Sequence, residues 1–382
     1  MSQRIASLDN LRGLVMVLMT LDHTRDFFSI SHFDPTDLQK TSAALFITRW
    51  ITHFCAAVFV FLAGTSACLW AAKRGAQAPV SGFLAKRGLL LLALVCTVEA
   101  WAWNFRADLR HIDGGVLWAL GWSMIVLAGL VKLPLGWVVA IGGLTVAGHN
   151  LLDPLKSADL GWFAPWWSVL HTGDDIDLGG GWLLNPYYPL VPWIGVMALG
   201  YGFGHLLQAE QWRKPRRLAL LGGGLSVAFV LLRYSNLYGD PQPWQIYPDP
   251  VFTLLSFLNC HKYPPSLSYL LMTLGPAPVF LAFAARSIPL LQVFGRTPLF
   301  YYLIHLYAIH GLAVLVALIS GGPVTVVMGG GIWQKDWPAD YGFALPAVYG
   351  FWLLILMMLY PVCRWFEAFK AARPQWRWLQ YL

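Results

Sequence analysis

The feature that most constrains this chain is its repeated apolar runs, many close to the roughly 20 residues an α-helix needs to cross a bilayer. Hydrophobic residues make up 57% of the 382 positions, and charged residues only 12%. A typical soluble domain is about 25% charged. A soluble protein with an unusually apolar core is the alternative, and the run lengths argue against it. The expected fold is therefore all-α: a polytopic membrane protein of about ten transmembrane helices, read as a single domain over 1–382. The span cores are placed at 9–31, 45–72, 88–104, 114–131, 135–152, 187–207, 218–235, 264–285, 294–319 and 343–363.

The links between these runs alternate in character. Lys73, Arg74, Lys86 and Arg87, then Lys132, then Arg213, Lys214, Arg216 and Arg217, then Arg286 fall on one side. Arg4 and the tail residues Arg364, Lys370, Arg373 and Arg377 fall there too. The positive-inside rule makes that side cytoplasmic and puts both termini there. The opposite loops, 153–186, 236–263 and 320–342, are longer and less basic. They carry Trp162, Trp166, Trp167, the acidic run Asp174, Asp175 and Asp177, and Tyr247, Trp333, Lys335, Asp336 and Trp337. Such side chains suit a sugar or other polar acceptor, and they equally suit interfacial anchoring.

Several classes fall away. The net charge of +7 reads as topology, because no basic patch with interleaved aromatics points to nucleic acid. Cys55, Cys68, Cys96, Cys260 and Cys363 show no metal spacing and no CxxC pair. No phosphate loop, dinucleotide fingerprint, HExxH or nucleophile elbow is present. Asp9 and Arg12 interrupt the start and no small-residue cleavage pattern follows, so the first helix is expected to stay in the mature protein.

The first run carries the chemistry. It opens with Asp9-Asn10-Leu11-Arg12-Gly13 and ends with Leu21-Asp22-His23-Thr24-Arg25-Asp26. Ionisable groups inside a membrane are costly and usually functional. Eleven residues separate Arg12 from His23, roughly 16 Å of helix rise. With Arg12 at the inner edge, His23 lies at or beyond the midplane. His23 and Asp26 share a face, so Asp26 is expected to orient the imidazole. Asp22 with Arg25, and Asp9 with Arg12, have the same spacing and suit ion pairs. A set of structural salt bridges is the bland reading.

Other intramembrane candidates are Glu99 near mid-depth, and Tyr301, Tyr302 and His305 within one turn. His310 points elsewhere. Arg49 and His53 open the second span close to His32. Lys262 and Arg296 each precede a proline-marked helix start and place cations near an anionic ligand; Arg296 beside Thr297 at a helix N-terminus suits phosphate.

The opening motif resembles that of the transmembrane acyltransferases. It is most similar to the bacterial membrane family related to the catalytic domain of heparan-α-glucosaminide N-acetyltransferase. Further matching stretches are 59–64, 188–195, 262–267 and 294–302. The Asp9, Arg12 and His23 spacing also resembles the start of acyltransferase family 3. The resemblance implies transfer of an acyl group, usually acetyl, from cytoplasmic acyl-CoA to an acceptor on the far side, with a membrane-buried His as base or acyl relay. His23 matches the acyltransferase-3 histidine. The lysosomal enzyme's active histidine lies later, which leaves His32 and His53 open. His305 is a further catalytic candidate, and Glu99, Tyr302, Arg25 and Lys262 are candidates on the substrate side. Arg12, Arg296, Lys86 and Arg87 are candidates for the CoA phosphates. The expected partners are the bilayer, acyl-CoA and a glycan or small polar acceptor, with no nucleic acid and no metal. The alternative is a proton-coupled transporter or permease, since intramembrane His, Asp and Glu also serve proton relays. Against it, no repeated pair of interrupted helices appears.

Overall fold

The computed structural model describes residues 5–75, 77–105, 109–284, 286–333 and 335–381; Arg4, placed above on the basic side, lies outside them. In chain order the helices are α1 (Ala6–Phe28), α2 (Ala43–Thr52), α3 (Phe54–Arg74), α4 (Val80–Leu94), α5 (Ala100–Asn104), α6 (Val116–Leu130), α7 (Leu135–Gly148), α8 (Ala164–Trp167) and α9 (Leu190–Leu206). They continue with α10 (Pro215–Ser235), α11 (Pro250–Leu258), α12 (Leu267–Leu274), α13 (Pro276–Phe283), α14 (Pro289–Arg296), α15 (Pro298–Ser320), α16 (Val324–Val327) and α17 (Leu345–Ala371). Among the described residues six helical stretches are long and apolar enough to cross a membrane: Ala43–Arg74, Val80–Asn104, Leu135–Leu152, Pro215–Ser235, Pro298–Ser320 and Leu345–Ala371. Val116–Leu130, Leu190–Leu206 and Leu267–Phe283 are apolar but shorter. α1 is long enough but carries the charges of the opening motif. The protein is an all-α, integral membrane bundle.

Several expected spans are not single helices, and the breaks have physical causes. The second breaks at His53, between α2 and α3. The eighth breaks at Gly275-Pro276 and the ninth at Thr297-Pro298. Proline has no N–H to continue the ladder, and it suits the first turn of a new helix. The third is widened by a π-helical turn, Val95–Glu99, between α4 and α5.

The chain divides into two compact units. Unit 1 contains Ala56–Cys96 and Arg110–Ala285. Here α6 packs on α4 and α9, α9 on α7, and α10 on α12 and α13. α3 and α9 approach backbone to backbone: a Cβ on Gly64 would lie 2.0 Å from the Met197 carbonyl, and one on Gly200 would lie 2.1 Å from that of Phe61. Small residues at such crossings are how membrane helices gain packing without a hydrophobic drive. A small sheet, absent from the sequence-based expectation, orders β1 (His111–Asp113), β3 (Trp182–Asn185) and β2 (Ile176–Gly179) side by side. β1 runs parallel to β3, and β2 antiparallel to it.

Asp153, just after α7, accepts from Asn150 Nδ2 at 2.9 Å and meets His171 Nε2 at 3.0 Å. Partial burial pushes this carboxyl up, but the bonds from His171 and Asn150 outweigh burial and hold its pKa below the ordinary 3.8. A depressed folded-state pKa gives stability that is present above the ordinary value and lost as pH falls through the folded one. Thermal melts of wild type and Asp153→Asn across acidic pH should therefore show a wild-type advantage above about pH 3.8 that disappears below it.

Unit 2 contains Ala6–Cys55, Thr97–Leu109 and Arg286–Leu382. α1 is its central element, packed on α2, α14, α15 and α17, while α15 also carries α5, α16 and α17. α1 and α14 meet through reciprocal glycines. A Cβ on Gly13 would lie 1.9 Å from the Leu291 carbonyl, and one on Gly295 would lie 2.0 Å from that of Asp9. The segment before α17 caps the other end of α1: Ile332 N donates to Asp26 O at 2.7 Å, and Phe343 N to Phe28 O at 2.7 Å.

Candidate active site

The residues of the site all belong to unit 2. α1 brings His23 and α15 brings His305, 282 positions apart in the chain, to a ring-to-ring hydrogen bond of 2.8 Å between His23 Nδ1 and His305 Nε2. The ring planes are inclined at 22° with centroids 5.0 Å apart. Trp103 of α5 meets His23 edge-on at 5.0 Å. His305 is fully buried, whereas His23 is only partly so.

The hydrogen bonds settle the proton positions. His305 Nδ1 faces the carbonyl oxygens of Tyr301, at 3.2 Å, and Tyr302. Carbonyls only accept, so Nδ1 carries the proton and neutral His305 has its lone pair on Nε2. His23 must then donate from Nδ1, which leaves the lone pair of a neutral His23 on Nε2. Backbone carbonyls thus set, through one intervening ring, which nitrogen of His23 can act as base or nucleophile.

The neighbouring residues of α15 brace this arrangement. Tyr301 is fully buried and its hydroxyl bonds that of Thr20 on α1. Tyr302 donates to Glu99 at the end of the π turn, and Tyr307 donates to Val98 O in the same turn at 2.6 Å. π turns often occur at functional sites because they re-aim side chains. Removing the Tyr302 donor deprives a buried carboxyl of a partner, at a cost of about 1–3 kcal/mol. Tyr302→Phe should lower the thermal stability of the purified protein accordingly, and Glu99→Gln by less, since an amide oxygen still accepts.

Asp26 does not orient His23, a correction to the spacing argument. Its carboxylate takes Arg25 Nη2 at 2.7 Å. Arg25, 1% exposed, also pairs with Asp22 at 3.1 Å. Asp22 in turn receives Arg49 Nη1 at 2.5–2.7 Å. Two carboxylates and two guanidinium groups therefore balance one another at this end of α1, as a desolvated charge cluster requires. The carboxylate that helix spacing offered to His23 is taken instead by the adjacent Arg25.

The other histidine candidates stand elsewhere in unit 2. His53 is buried at the break between α2 and α3, where its N–H closes the last turn on Trp50 O at 3.1 Å. His32 lies beyond α1, its Nε2 3.0 Å from Tyr341 O and its ring edge-on to Trp337. His310 contacts the carbonyls of Ala102 and Val327 at 2.8 and 2.9 Å and stacks on Phe105. His32 does not join the His23–His305 hydrogen bond.

At the basic end of α1, Arg12 and Arg296 converge on Asp9. Arg12 Nη1 donates to Asp9 Oδ1 at 3.1 Å and to Gly295 O at 2.9 Å. Arg296 Nε lies 3.6 Å from Asp9 Oδ2, and its Nη1 pairs with Glu367 at 2.7 Å. The expected Asp9–Arg12 pair is present, and Arg296 extends it into a charge-balanced lock. Lys86 is exposed and Arg87 half-buried on α4 in unit 1. Lys262 is also in unit 1, buried, with its ammonium 5.0 Å from the Tyr263 ring centroid. Three members escaped sequence reasoning: Trp103, Thr20 and Glu367 lie on one-sided apolar or surface stretches with no local signal.

Among curated proteins none matches the chain. Residues 4–231 match the family described as heparan-alpha-glucosaminide N-acetyltransferase, catalytic. That match covers more than half of the sequence, including the opening motif and His23, and the fold is that of a membrane bundle. The chain therefore belongs to the heparan-alpha-glucosaminide N-acetyltransferase catalytic family, a family of membrane acetyltransferases.

Proposed function

We propose that this protein moves an acetyl or similar acyl group from cytoplasmic acyl-CoA to a glycan or other polar acceptor on the opposite face of a bacterial inner membrane, with both termini cytoplasmic. The observation that carries the reading is the carbonyl–His305–His23 chain, which directs a lone pair to Nε2 of a partly accessible imidazole in a membrane acetyltransferase family.

In this mechanism His23 Nε2 accepts the proton of an acceptor hydroxyl or amine as that group attacks the thioester carbonyl. The C–S bond breaks, and the CoA thiolate takes the proton from His23. His305 accepts the His23 Nδ1–H throughout and spreads the developing positive charge. A second reading uses the same atom as a nucleophile: Nε2 attacks the thioester carbonyl, the C–S bond breaks and CoA leaves as thiolate, and the acyl group then passes from Nε2 to the acceptor, whose proton the thiolate takes. Arg12 and Arg296 are the unit 2 candidates for the CoA phosphates, with Arg296 exchanging Glu367 for a phosphate oxygen; Lys86 and Arg87 are the unit 1 candidates. Family membership favours transfer over the transporter alternative.

The test is release of free CoA thiol by detergent-purified protein given acetyl-CoA and a panel of amino and hydroxyl sugars. Acceptor-dependent release is expected. Movement of a sugar with no acetyl-CoA consumed would support transport instead.

A further inference from the structure

The C-terminal arm of unit 2 carries chemistry that the His23 mechanism does not use. α17 is among the helices long and apolar enough to cross a membrane. Its residues 345–363 carry no charged side chain. At 1.5 Å each they rise roughly 28 Å, close to the roughly 30 Å of a bilayer's hydrocarbon core. Charge begins at the next residue. Arg364, Lys370, Arg373 and Arg377 follow, against the single acid Glu367, which Arg296 Nη1 already meets at 2.7 Å. The apolar length of α17 therefore sets the first of these cations at a membrane boundary.

Packing fixes this end of the chain. Cys363 and Phe366 form the buried face of α17, and the Phe366 ring stacks on Phe300 at 3.9 Å between centroids. Arg364 and Trp365 stand exposed beside them. Past the helix, Trp376 N donates to Arg373 O at 3.1 Å and Leu379 N to Trp376 O at 3.0 Å. Leu379 is buried and holds the arm to the protein. The Arg373 guanidinium lies 3.9 Å from the Phe369 ring centroid and 5.4 Å from that of Trp376, and Trp376 stacks on Trp378. Trp365, Trp376 and Trp378 are 59%, 41% and 55% exposed. Cations and aromatics therefore do interleave here, a correction to the composition argument, and the span before them puts a bilayer within their reach. Exposed indoles are favoured at the level of lipid headgroups. A guanidinium held on aromatic rings is a pre-ordered donor for phosphate oxygens. Four basic residues at the end of a span match the pattern that attracts anionic lipid.

We propose that the arm following α17 is a docking surface for the phosphate headgroups of anionic phospholipids in the surrounding membrane. The proposal is independent of the transferase reading. The test is native mass spectrometry of the full-length protein in detergent, titrated with phosphatidylglycerol or with phosphatidylcholine. Phosphatidylglycerol should be retained in preference to phosphatidylcholine, and less so as salt is raised, because exposed charges are screened. A variant with Arg364→Gln, Arg373→Gln and Arg377→Gln together should bind phosphatidylglycerol at least about tenfold more weakly, at about fivefold per charge, with phosphatidylcholine unchanged. Arg373 packs on two rings, so the triple variant is the one at risk of misfolding; Arg364 is exposed, and Arg364→Gln alone then carries the test with a loss of about fivefold. His23→Ala should bind phosphatidylglycerol as wild type does. Inorganic phosphate at the same concentration should not displace the lipid, since the exposed indoles contact only a molecule seated in a bilayer or micelle. Equal retention of the two lipids, phosphatidylglycerol binding unchanged in the folded arginine variants, or displacement by inorganic phosphate would overturn the proposal.

Discussion

His23→Ala should lower acetyl-CoA turnover by about 10²–10⁴-fold, the usual contribution of a positioned general base. Its melting temperature should fall modestly, because fully buried His305 Nε2 loses its donor, at a cost of about 1–3 kcal/mol. His305 acts through His23, so it is a positioning residue and its variants should differ in kind. His305→Ala removes the acceptor that holds His23 Nδ1–H and frees the imidazole to rotate and to change tautomer. The loss should be about 10²-fold, in the sense of other orienting partners, and it should come with an altered pH–rate profile. A merely structural His305 would lower the amount of folded enzyme and leave that profile where it was. His32→Ala should retain the wild-type profile, since its ring bonds Tyr341 O and packs on Trp337.

The largest stability effect is expected where α1 crosses α14. Gly13→Val sets a side chain 1.9 Å from the Leu291 carbonyl oxygen, and Gly295→Val sets one 2.0 Å from that of Asp9. Backbone cannot yield as a flexible side chain can, so the helices must part. Overpacking of this kind costs about 3 kcal/mol or more, and it also breaks the Arg12 bond to Gly295 O. Both variants should express poorly or melt far below wild type. Gly311→Ala on α15 is the control: nothing lies within 4 Å of its Cβ position, so that variant should be neutral or slightly stabilised by the better helix propensity of Ala. Thermal unfolding of the three proteins side by side checks the pattern.

The legible part of this fold was whatever follows from local periodicity. Run length and charge placed the helices, and i,i+3 spacing found the Asp9–Arg12 and Asp22–Arg25 pairs. Proline was read as a helix-start signal at Pro264 and Pro298, yet the break it makes at Thr297 was absorbed into one long span, because hydropathy alone does not register a change in helix direction. The pairing of His23 with His305 was not legible. Both residues were candidates, but a contact across 282 positions is decided by how α1, α14 and α15 pack, and the reciprocal glycines that set this packing look like ordinary small residues in the sequence. The same gap explains Asp26. Helix spacing offers it His23 and argues against its neighbour Arg25, yet Arg25 is the partner the folded geometry gives it.

The most direct test of the account is transfer of labelled acetyl in sealed proteoliposomes, with acetyl-CoA on one side, an amino sugar trapped on the other, and wild type and His23→Ala reconstituted in parallel. The account predicts labelled acceptor with wild type and a loss of about 10²-fold or more with His23→Ala. Equal transfer by the two proteins would contradict it.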